Sequence, residues 1–241
     1  MTHRNLVILT GAGISAESGV PTFRADDGLW MGHRIEDVAT PQAFARDPAV
    51  VQDFYNRRRR QLATVQPNAA HHALAALAAR WTRKLMLVTQ NVDDLHDRAH
   101  AAEPPGAGFQ LIHMHGELLK AHCTATGQVQ DCPGDLEADH PSPHHPSGRM
   151  RPHIVWFGEM PLHMERVEAA LEACDLFVSI GTSGAVYPAA GFVQQARLAG
   201  ARTVELNLES SLISDLFDET HHGPATEVVP GFLSSLRAGE N

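Results

Sequence analysis

The chain alternates short apolar runs with longer amphipathic segments. Mostly apolar runs of four or five residues predict buried strands at 6–9, 85–88, 109–112, 176–180 and 203–206. Helical patterns lie between them at 69–80, 165–174 and 189–198, and Asn68 is placed to cap the first of these. Strands that alternate with helices in this way predict an α/β fold built on a parallel sheet.

Two segments depart from this alternation. Residues 35–62 have little strand character, and a helix start at Thr40-Pro41 predicts a helical insertion, with a further helix around 50–62. Residues 117–151 are rich in glycine, proline, histidine and aspartate and have too few apolar residues for a core of their own. Strand character resumes at 154–157. We therefore predict one domain, 1–241, with a large lobe (1–34, 66–117 and 151–241) and a small lobe (35–65 and 118–150).

Composition narrows the functional classes. Of the 241 residues, 43% are hydrophobic, which is typical of a globular domain. The formal net charge of -9 argues against direct nucleic-acid binding, which needs a basic surface. No apolar run approaches the roughly 18 residues of a membrane span, and the first strand begins too early to leave room for a signal peptide. Three cysteines, an odd number, indicate a reducing compartment, so we expect a cytoplasmic protein without membrane partners.

A glycine-rich turn, GAGISAESG, follows the first predicted strand. Gly11 and Gly13 let the backbone turn tightly and approach a ligand, and a helix start after such a turn favours phosphate binding. Gly19 and Pro21 should end this helix after about two turns. An ordinary dinucleotide fold continues into a second strand with an acidic ribose ligand, whereas this chain continues into a polar loop at 24–27. We expect the loop to lie over a bound nucleotide, which disfavours an ordinary dehydrogenase.

Five sequence blocks follow one another along the chain. They are GAGISAESGVPTFR with GLW at 11–30, TQNVDDLH at 89–96, HMHG at 113–116, VWFGE at 155–159, and GTS with NLE at 181–183 and 207–209. With these blocks the chain resembles the sirtuins, the NAD-dependent protein deacylases. The resemblance implies a Rossmann-like parallel sheet with helices on both faces, and a small lobe that combines the helical insertion with a degenerate zinc-type module. It also implies NAD as the cofactor and acyl-lysine proteins, bound as extended peptides, as substrates.

The resemblance further implies the reaction and its residues. The acyl oxygen of the modified lysine displaces nicotinamide from NAD, and the products are free lysine, nicotinamide and O-acyl-ADP-ribose. A histidine suits the required base because its unperturbed pKa lies near neutrality. The implied catalytic residues are His115, Asn91 and Asp93. The implied cofactor-binding residues are Gly11, Ala12, Gly13, Ala16, Phe23, Arg24, Trp30, Gln90, Asn91, Asp93, Gly181, Thr182, Ser183, Asn207, Glu209 and Ala225.

Structural interpretations of these residues stay open. Most of the 16 histidines must be surface or structural residues, and His113 is left unassigned. Asn91 or Asp93 is also a normal N-cap for the helix that follows. Arg24, which suits a pyrophosphate, is equally an exposed loop charge. The GTS block after a strand is also typical of a plain turn with a cap.

The VWFGE block resembles the sirtuin segment that pairs with the substrate peptide. It gives Val155, Phe157, Gly158 and Glu159 as substrate-binding residues. Main-chain pairing with an extended peptide depends little on its sequence and suits an enzyme with many protein substrates. A buried strand with Trp156 and Phe157 in the core explains the same pattern.

Three residues indicate which type of acyl group is removed from the lysine. Tyr55 and Arg58 share a face of the predicted helix, and with the small residue Ala39 they resemble class III sirtuins, the branch that removes succinyl, malonyl and glutaryl groups. Arginine binds a carboxylate in a bidentate manner, a tyrosine hydroxyl donates one more hydrogen bond, and Ala39 leaves room for the longer chain. Four consecutive arginines are also typical of a solvated helix face, and Arg59 lies on the Tyr55 side too.

The predicted small lobe departs from the sirtuin pattern because the chain has no CxxC pair. Cys123 is the only well-placed zinc ligand. Since Cys132 and the histidines 140, 144 and 145 do not have the usual spacing of a tetrahedral site, we expect an ordered loop without metal. Two other functions remain open: mono-ADP-ribosyl transfer from NAD, and NAD sensing without turnover. The acyl-binding pattern argues against the first, and the intact catalytic residues argue against the second.

Overall fold

The computed structural model of the chain describes residues 5–22, the backbone of 29–30, and residues 32–236. Three predicted cofactor contacts, those of Phe23, Arg24 and the Trp30 side chain, lie outside the described residues and stay predictions. The strands are β1 (Leu6–Thr10), β2 (Leu29–Trp30), β3 (His33–Arg34), β4 (Leu85–Thr89), β5 (Phe109–His113), β6 (Gly116–Cys123), β7 (Val129–Asp131), β8 (Met150–Ile154), β9 (Leu176–Ile180), β10 (Arg202–Asn207) and β11 (Glu219–His222). The helices are α1 (Gly13–Ala16), α2 (Ile35–Val38), α3 (Pro41–Arg46), α4 (Pro48–Leu62), α5 (Ala69–Arg80), α6 (Leu95–Ala102), α7 (Met164–Glu172), α8 (Phe192–Leu198) and α9 (Ala225–Ser235).

Six parallel strands form the main sheet in the order β11-β10-β9-β1-β4-β5. From β1 the chain moves through β4 to β5 on one side, and then through β9 and β10 to β11 on the other. Strand order therefore reverses at β1, and open α/β sheets bind ligands in the crevice at the carboxyl ends of such strands. The register places Thr10 beside Thr89 and Ile180 at this edge, with His113 beside Thr89.

Alternate residues of the central strand β1 serve the two faces of the sheet. Leu6 and Ile8 pack with α5 and α9 on one face, whereas Val7 and Leu9 pack with α7 and α8 on the other. All four side chains are almost fully buried. This layered core confirms the predicted α/β fold with helices on both faces. The edge strand β11 lacks an apolar run, since it reads ETHH, and the hydrophobic pattern does not predict it.

The segment 117–151 differs most from expectation. Helices α2 to α4 confirm the helical insertion, but the later segment is more than the loop we expected. Strands β6, β7 and β8 form an antiparallel sheet in the order β7-β6-β8. A small core accompanies this sheet and consists of Ala121, Cys123, Cys132, Leu136 and Met150.

Polar side chains of α4 explain how this segment stays ordered with so few apolar residues. Gln52 Nε2 donates to Met150 O at 2.9 Å. The Asn56 amide donates to Leu136 O and accepts from Leu136 N–H, both at 2.9 Å. Buried backbone groups need such partners, and here the partners come from a helix 80 to 98 residues earlier in the chain.

The strand predicted at 154–157 is wrong in its position, because β8 ends at Ile154. Beyond it the Val155 N–H donates to His115 O at 2.9 Å, and the Trp156 N–H donates to the Glu159 carboxylate at 2.8 Å. The Glu159 side chain thus accepts the hydrogen bond that a neighbouring strand would accept, and the pairing of β8 ends here.

The part of the chain that the structure describes contains no helix both long and apolar enough to cross a lipid bilayer. The exact division of the chain into a large and a small lobe stays a prediction.

Candidate active site

The glycine-rich turn brings the ends of β1 and β9 into backbone contact. Gly11 N–H donates to Ile180 O at 2.9 Å, and Gly13 N–H donates to Gly181 O at 2.8 Å. A Cβ atom on Gly13 would lie 2.7 Å from the Gly181 Cα atom, so only glycine permits this approach. Helix α1 has four residues and is shorter than the two turns predicted, and Gly19 follows it with a φ of +92°.

A buried polar network lies behind this turn, at the end of β4. Asn91 Nδ2 donates to Gly11 O at 3.1 Å and to Ser15 Oγ at 3.2 Å, and the Ser15 hydroxyl donates to Asp93 Oδ2 at 3.0 Å. Asp93 Oδ1 also accepts from Leu95 N–H at 3.2 Å, so the carboxylate supports the start of α6 as well. Burial raises the pKa of Asp93, although these hydrogen bonds oppose the shift.

Ser15 belongs to this network but was not among the predicted site residues. The signal that could have found it is its place in GAGIS, where the turn buries a polar side chain. Its one hydrogen goes to Asp93, so its oxygen is left to accept from Asn91 and from His71 Nε2, which is 3.4 Å away. Ser15 therefore links the glycine turn of β1 to the polar side chains of β4.

His115 follows β5 and faces the same crevice edge. Its Nδ1 atom lies 3.1 Å from Gln90 O, and because a carbonyl only accepts, Nδ1 carries the hydrogen. In the neutral ring the lone pair is then on Nε2. Burial lowers the pKa of His115, so the ring is neutral at neutral pH. The Gln90 side chain donates to Thr182 Oγ1 at 3.2 Å and joins the ends of β4 and β9.

His113 differs from His115 in both contact and charge. Its Nε2 atom lies 3.0 Å from Asp97 Oδ2 on α6. Burial acts to lower the pKa of His113, but the hydrogen bond and charge of Asp97 outweigh it and the pKa is raised. His113 is thus an ion-pairing residue of the scaffold, which resolves the assignment that the sequence left open.

Two further histidines, His71 and His96, are buried beside the network and are uncharged. Burial lowers the pKa of His71 to about 3 and the pKa of His96 well below its ordinary value. Their rings are 4.9 Å apart between centroids, and His96 Nε2 lies 3.1 Å from Thr10 Oγ1. Both rings are therefore uncharged at neutral pH, so neither would form an ion pair with the Asp93 carboxylate.

The remaining predicted cofactor residues reach the same edge from β9, β10 and α9. Asn207 Nδ2 donates to Thr182 O at 2.9 Å, and Gly181 holds a φ of +62°. Ser183 and Glu209 are exposed, whereas Ala225 opens α9 and packs against the main core. Ala12 and Ala16 flank the turn at α1, and Ala16 is exposed. These residues thus follow β9 and β10 or lie in α1 and α9, and their contacts with a nucleotide stay predictions.

The predicted acyl-binding residues lie together in the core of the helical insertion. Tyr55 and Ala39 are buried in one apolar cluster. Burial lowers the pKa of Arg58 to about 10, while Tyr55 and Asp93 act in the opposite direction. Arg58 is thus within electrostatic range of Asp93, which places the predicted acyl-binding residues close to the Asn91–Ser15–Asp93 network.

The neighbouring arginines of α4 have other contacts. Arg59 Nε donates to Leu118 O at 2.9 Å, and Arg59 Nη1 donates to Asn56 Oδ1 at 2.7 Å. Arg57 and Arg60 form exposed ion pairs with Asp53 and Asp135 respectively. These contacts give Arg57, Arg59 and Arg60 structural roles, and the acyl-binding role of Arg58 stays a prediction.

The predicted peptide-binding segment is held from inside the protein. Phe157 N–H donates to Ala39 O at 3.0 Å, which connects the segment to one of the predicted acyl-binding residues. The Glu159 carboxylate accepts two hydrogen bonds from Arg151, at 2.7 and 2.9 Å, so this carboxylate is already committed to internal contacts. Phe157 is 44% exposed and Gly158 is also exposed, so the outer side of the segment is accessible.

The cysteines of the small sheet do not fit a tetrahedral zinc site. Hydrogen bonds from Ser142 and Thr126 lower the pKa of Cys123 to about 7, and Cys132 Sγ donates to Gly134 O. His144 Nε2 lies 2.9 Å from Gln130 Oε1 instead of a cysteine. Within residues 5–22 and 32–236, no three histidine, cysteine or acidic side chains come together as metal ligands.

We expect a chelator to leave the folded protein unchanged. Structural zinc contributes roughly 10 kcal/mol or more to a zinc-dependent module, so its removal would be visible at once. Prolonged EDTA treatment should shift the thermal unfolding midpoint by less than about 2 °C, a change that corresponds to at most about 1 kcal/mol. One zinc per chain by elemental analysis, together with a large EDTA-dependent shift, would contradict this expectation.

Known proteins are similar to this chain in sequence and in fold over most of its length. A family model described as SIR2, Sir2 family, matches residues 11–188. The chain belongs to the Sir2 family. It is 57% identical to the NAD-dependent protein deacylase of Pasteurella multocida (strain Pm70), over 96% of this chain and 97% of that protein. It is 56% identical to the NAD-dependent protein deacylase of Yersinia pseudotuberculosis serotype I (strain IP32953), over 98% of this chain and 84% of that protein.

A solved structure supports the same membership. The crystal structure of a Sir2 homolog–NAD complex is similar to this chain with a TM-score of 0.85 and 37% identity, covering 98% of this chain and 90% of that one. The family predicted from the sequence blocks is therefore confirmed, and so is its Rossmann-like sheet. The Sir2 family match includes the glycine turn, the Asn91 and Asp93 network, His115 and the predicted acyl-binding residues of α4.

Proposed function

We propose that this chain is an NAD-dependent protein deacylase that removes acetyl and acidic acyl groups from lysine. The observation that carries the proposal is His115, a neutral histidine with its Nε2 lone pair available, next to the Asn91–Ser15–Asp93 network at the switch point. Relatives that are more than half identical over almost the whole chain carry the name NAD-dependent protein deacylase. A cytoplasmic location belongs to the same proposal.

The residues at the crevice fit NAD. Buried polar groups of Asn91 and Asp93 face the end of β1, and glycines let the backbone approach a ligand there. Asn91 and Asp93 would hold the nicotinamide end, Gln90 the ribose and Thr182 a phosphate, with Asn207 beyond them at the end of β10. When bound, NAD supplies an electrophilic ribose carbon and nicotinamide as a leaving group.

His115 would act as the general base. Its lowered pKa keeps it unprotonated, and Gln90 O fixes the hydrogen on Nδ1, so Nε2 can accept a proton from a ribose hydroxyl. Asn91 and Ser15 orient Asp93 and keep it from turning away. Burial of the whole network strengthens these contacts because water does not compete for them.

The pocket beside this network would take the acyl chain. Tyr55 and Arg58 offer a hydroxyl and a guanidinium to a terminal carboxylate, and Ala39 keeps the pocket open. Succinyl, malonyl and glutaryl groups have such a carboxylate, whereas acetyl does not. An apolar cluster around a cationic group favours an acidic chain, which neutralises the buried charge.

The protein substrate would lie as an extended peptide along 155–158. The N–H groups of Val155 and Phe157 donate inside the protein, so a peptide strand would pair with carbonyl oxygens of this segment and with Gly158 N–H. Such main-chain pairing depends little on the sequence of the peptide. It agrees with a deacylase that acts on many proteins.

Nicotinamide release tests the proposed function directly. We expect the protein to release nicotinamide from NAD only when an acyl-lysine peptide is present, and faster with a succinyl-lysine peptide than with the same peptide in acetyl form. The unacylated peptide serves as the control. Release that does not depend on the acyl group, or transfer of ADP-ribose to the peptide, would contradict the proposal.

A further inference from the structure

We propose that Trp156 is a positioning residue for acyl specificity: its indole N–H holds the Tyr55 oxygen so that the hydroxyl hydrogen is directed to an acidic acyl group. The inference rests on the acyl specificity proposed above and explains how the tyrosine is prepared for it. Trp156 reaches the pocket from the peptide-binding segment, 101 residues away along the chain.

The direction of one hydrogen bond is the first step. Trp156 Nε1 lies 2.9 Å from Tyr55 Oη, and an indole N–H can only donate. The Tyr55 oxygen must therefore accept, and its own hydrogen is left to donate to another group. Arg58, whose charge lowers the pKa of Tyr55 more than that of Arg151 does, has hydrogen-bond donors but no acceptor. A carboxylate that enters the pocket supplies an acceptor for both groups, whereas the methyl group of an acetyl chain supplies none.

Burial makes this arrangement persistent. Tyr55 is 0% exposed and Trp156 is 2% exposed, so water does not replace the indole as the partner of the hydroxyl. Burial also raises the pKa of Tyr55 to about 12, which means that the hydroxyl keeps its hydrogen at neutral pH. The tyrosine is thus a fixed donor and not a phenolate that would repel an acidic chain.

Trp156 is itself held from three sides. Its backbone N–H donates to Glu159 Oε2 at 2.8 Å, its ring face lies 3.4 Å from the Arg151 guanidinium carbon, and its ring edge meets Tyr55. Arg151 in turn donates to both Glu159 oxygens. A buried cation over an indole face is favourable and fixes the plane of the ring. Glu159 and Arg151 therefore act on the acyl pocket through Trp156, and this is the role we assign to the Glu159 carboxylate.

The decisive experiment compares Trp156→Phe, Tyr55→Phe and the double variant. Phenylalanine keeps a packed ring in place of the indole but removes the N–H donor. The kcat and KM values are measured with succinyl-lysine and acetyl-lysine forms of one peptide at saturating NAD. We expect each single variant to raise the succinyl KM about tenfold, the size of one charge-assisted hydrogen bond, and to change the acetyl KM far less. The double variant should be no worse than the Tyr55→Phe variant, because the two changes remove the same interaction.

Trp81→Phe is the matched control, since Trp81 is buried in the main core with α5 and α9, away from the pocket. It should leave both KM values unchanged. Equal losses with both peptides, or additive effects in the double variant, would show that Trp156 only packs, and would overturn the inference while the deacylase function stands. If the unmutated protein shows no preference for succinyl-lysine, the proposed specificity fails and the inference fails with it.

Discussion

Replacing His115 with alanine should lower kcat for deacylation by about 10²- to 10⁴-fold, the usual contribution of a general base. The loss follows from geometry. The Gln90 carbonyl accepts the Nδ1 hydrogen of His115, so the lone pair on Nε2 is left to accept a proton at the crevice. Net nicotinamide release and loss of the acyl group should fall together in the steady state, because each complete turnover yields one nicotinamide and removes one acyl group. The measurement is a steady-state assay with the succinyl-lysine peptide.

His113→Gln is the matched control, two residues away and bound to Asp97 instead. It should retain most of the activity. The pH profile gives a second check. Because burial lowers the pKa of His115, the base form persists at neutral pH, and activity should fall only when acid protonates it below its ordinary pKa. An activity that survives His115→Ala, or an acid limb that is unchanged in that variant, would contradict the assignment.

The parallel sheet could be predicted from sequence because its strands are buried on both faces and read as short apolar runs. Strands such as 85–88 and 176–180 are visible without knowledge of their neighbours. The edge strand β11 and the small antiparallel sheet are different. Their residues are mostly polar, and the small sheet with its connecting loop depends on Gln52 and Asn56 of a distant helix for backbone partners. Such partners do not appear in a local pattern.

The candidate site shows the same division. His115, Asn91 and Asp93 stand at strand ends within recognisable blocks, so the sequence resemblance assigns them residue by residue. Ser15 was missed because its role depends on which way a short turn faces. The contact between Trp156 and Tyr55 was missed for a stronger reason: each residue has an adequate local explanation, and only the fold brings them to 2.9 Å.

Replacing Arg58 with methionine should lower kcat/KM for desuccinylation by about a hundredfold and lower deacetylation far less. A succinyl carboxylate in the pocket would lose its charged partner and stay buried, which costs about 3 kcal/mol or more. An acetyl group has no carboxylate, so it does not lose this interaction. Methionine fills similar space with an apolar chain, and the pocket around Tyr55 and Ala39 is apolar enough to accept it.

Arg57→Met, which breaks an exposed ion pair with Asp53 on the same helix, is the matched control and should leave both activities unchanged. The ratio of the two kcat/KM values is the quantity that decides, because a folding defect lowers both together. A hundredfold change in that ratio for Arg58→Met alone would mean that one buried guanidinium selects the acyl charge. Equal losses would instead make Arg58 a part of the scaffold, as Arg59 is through its hydrogen bond to Leu118 O, and acyl selectivity would then have to come from the shape of the pocket.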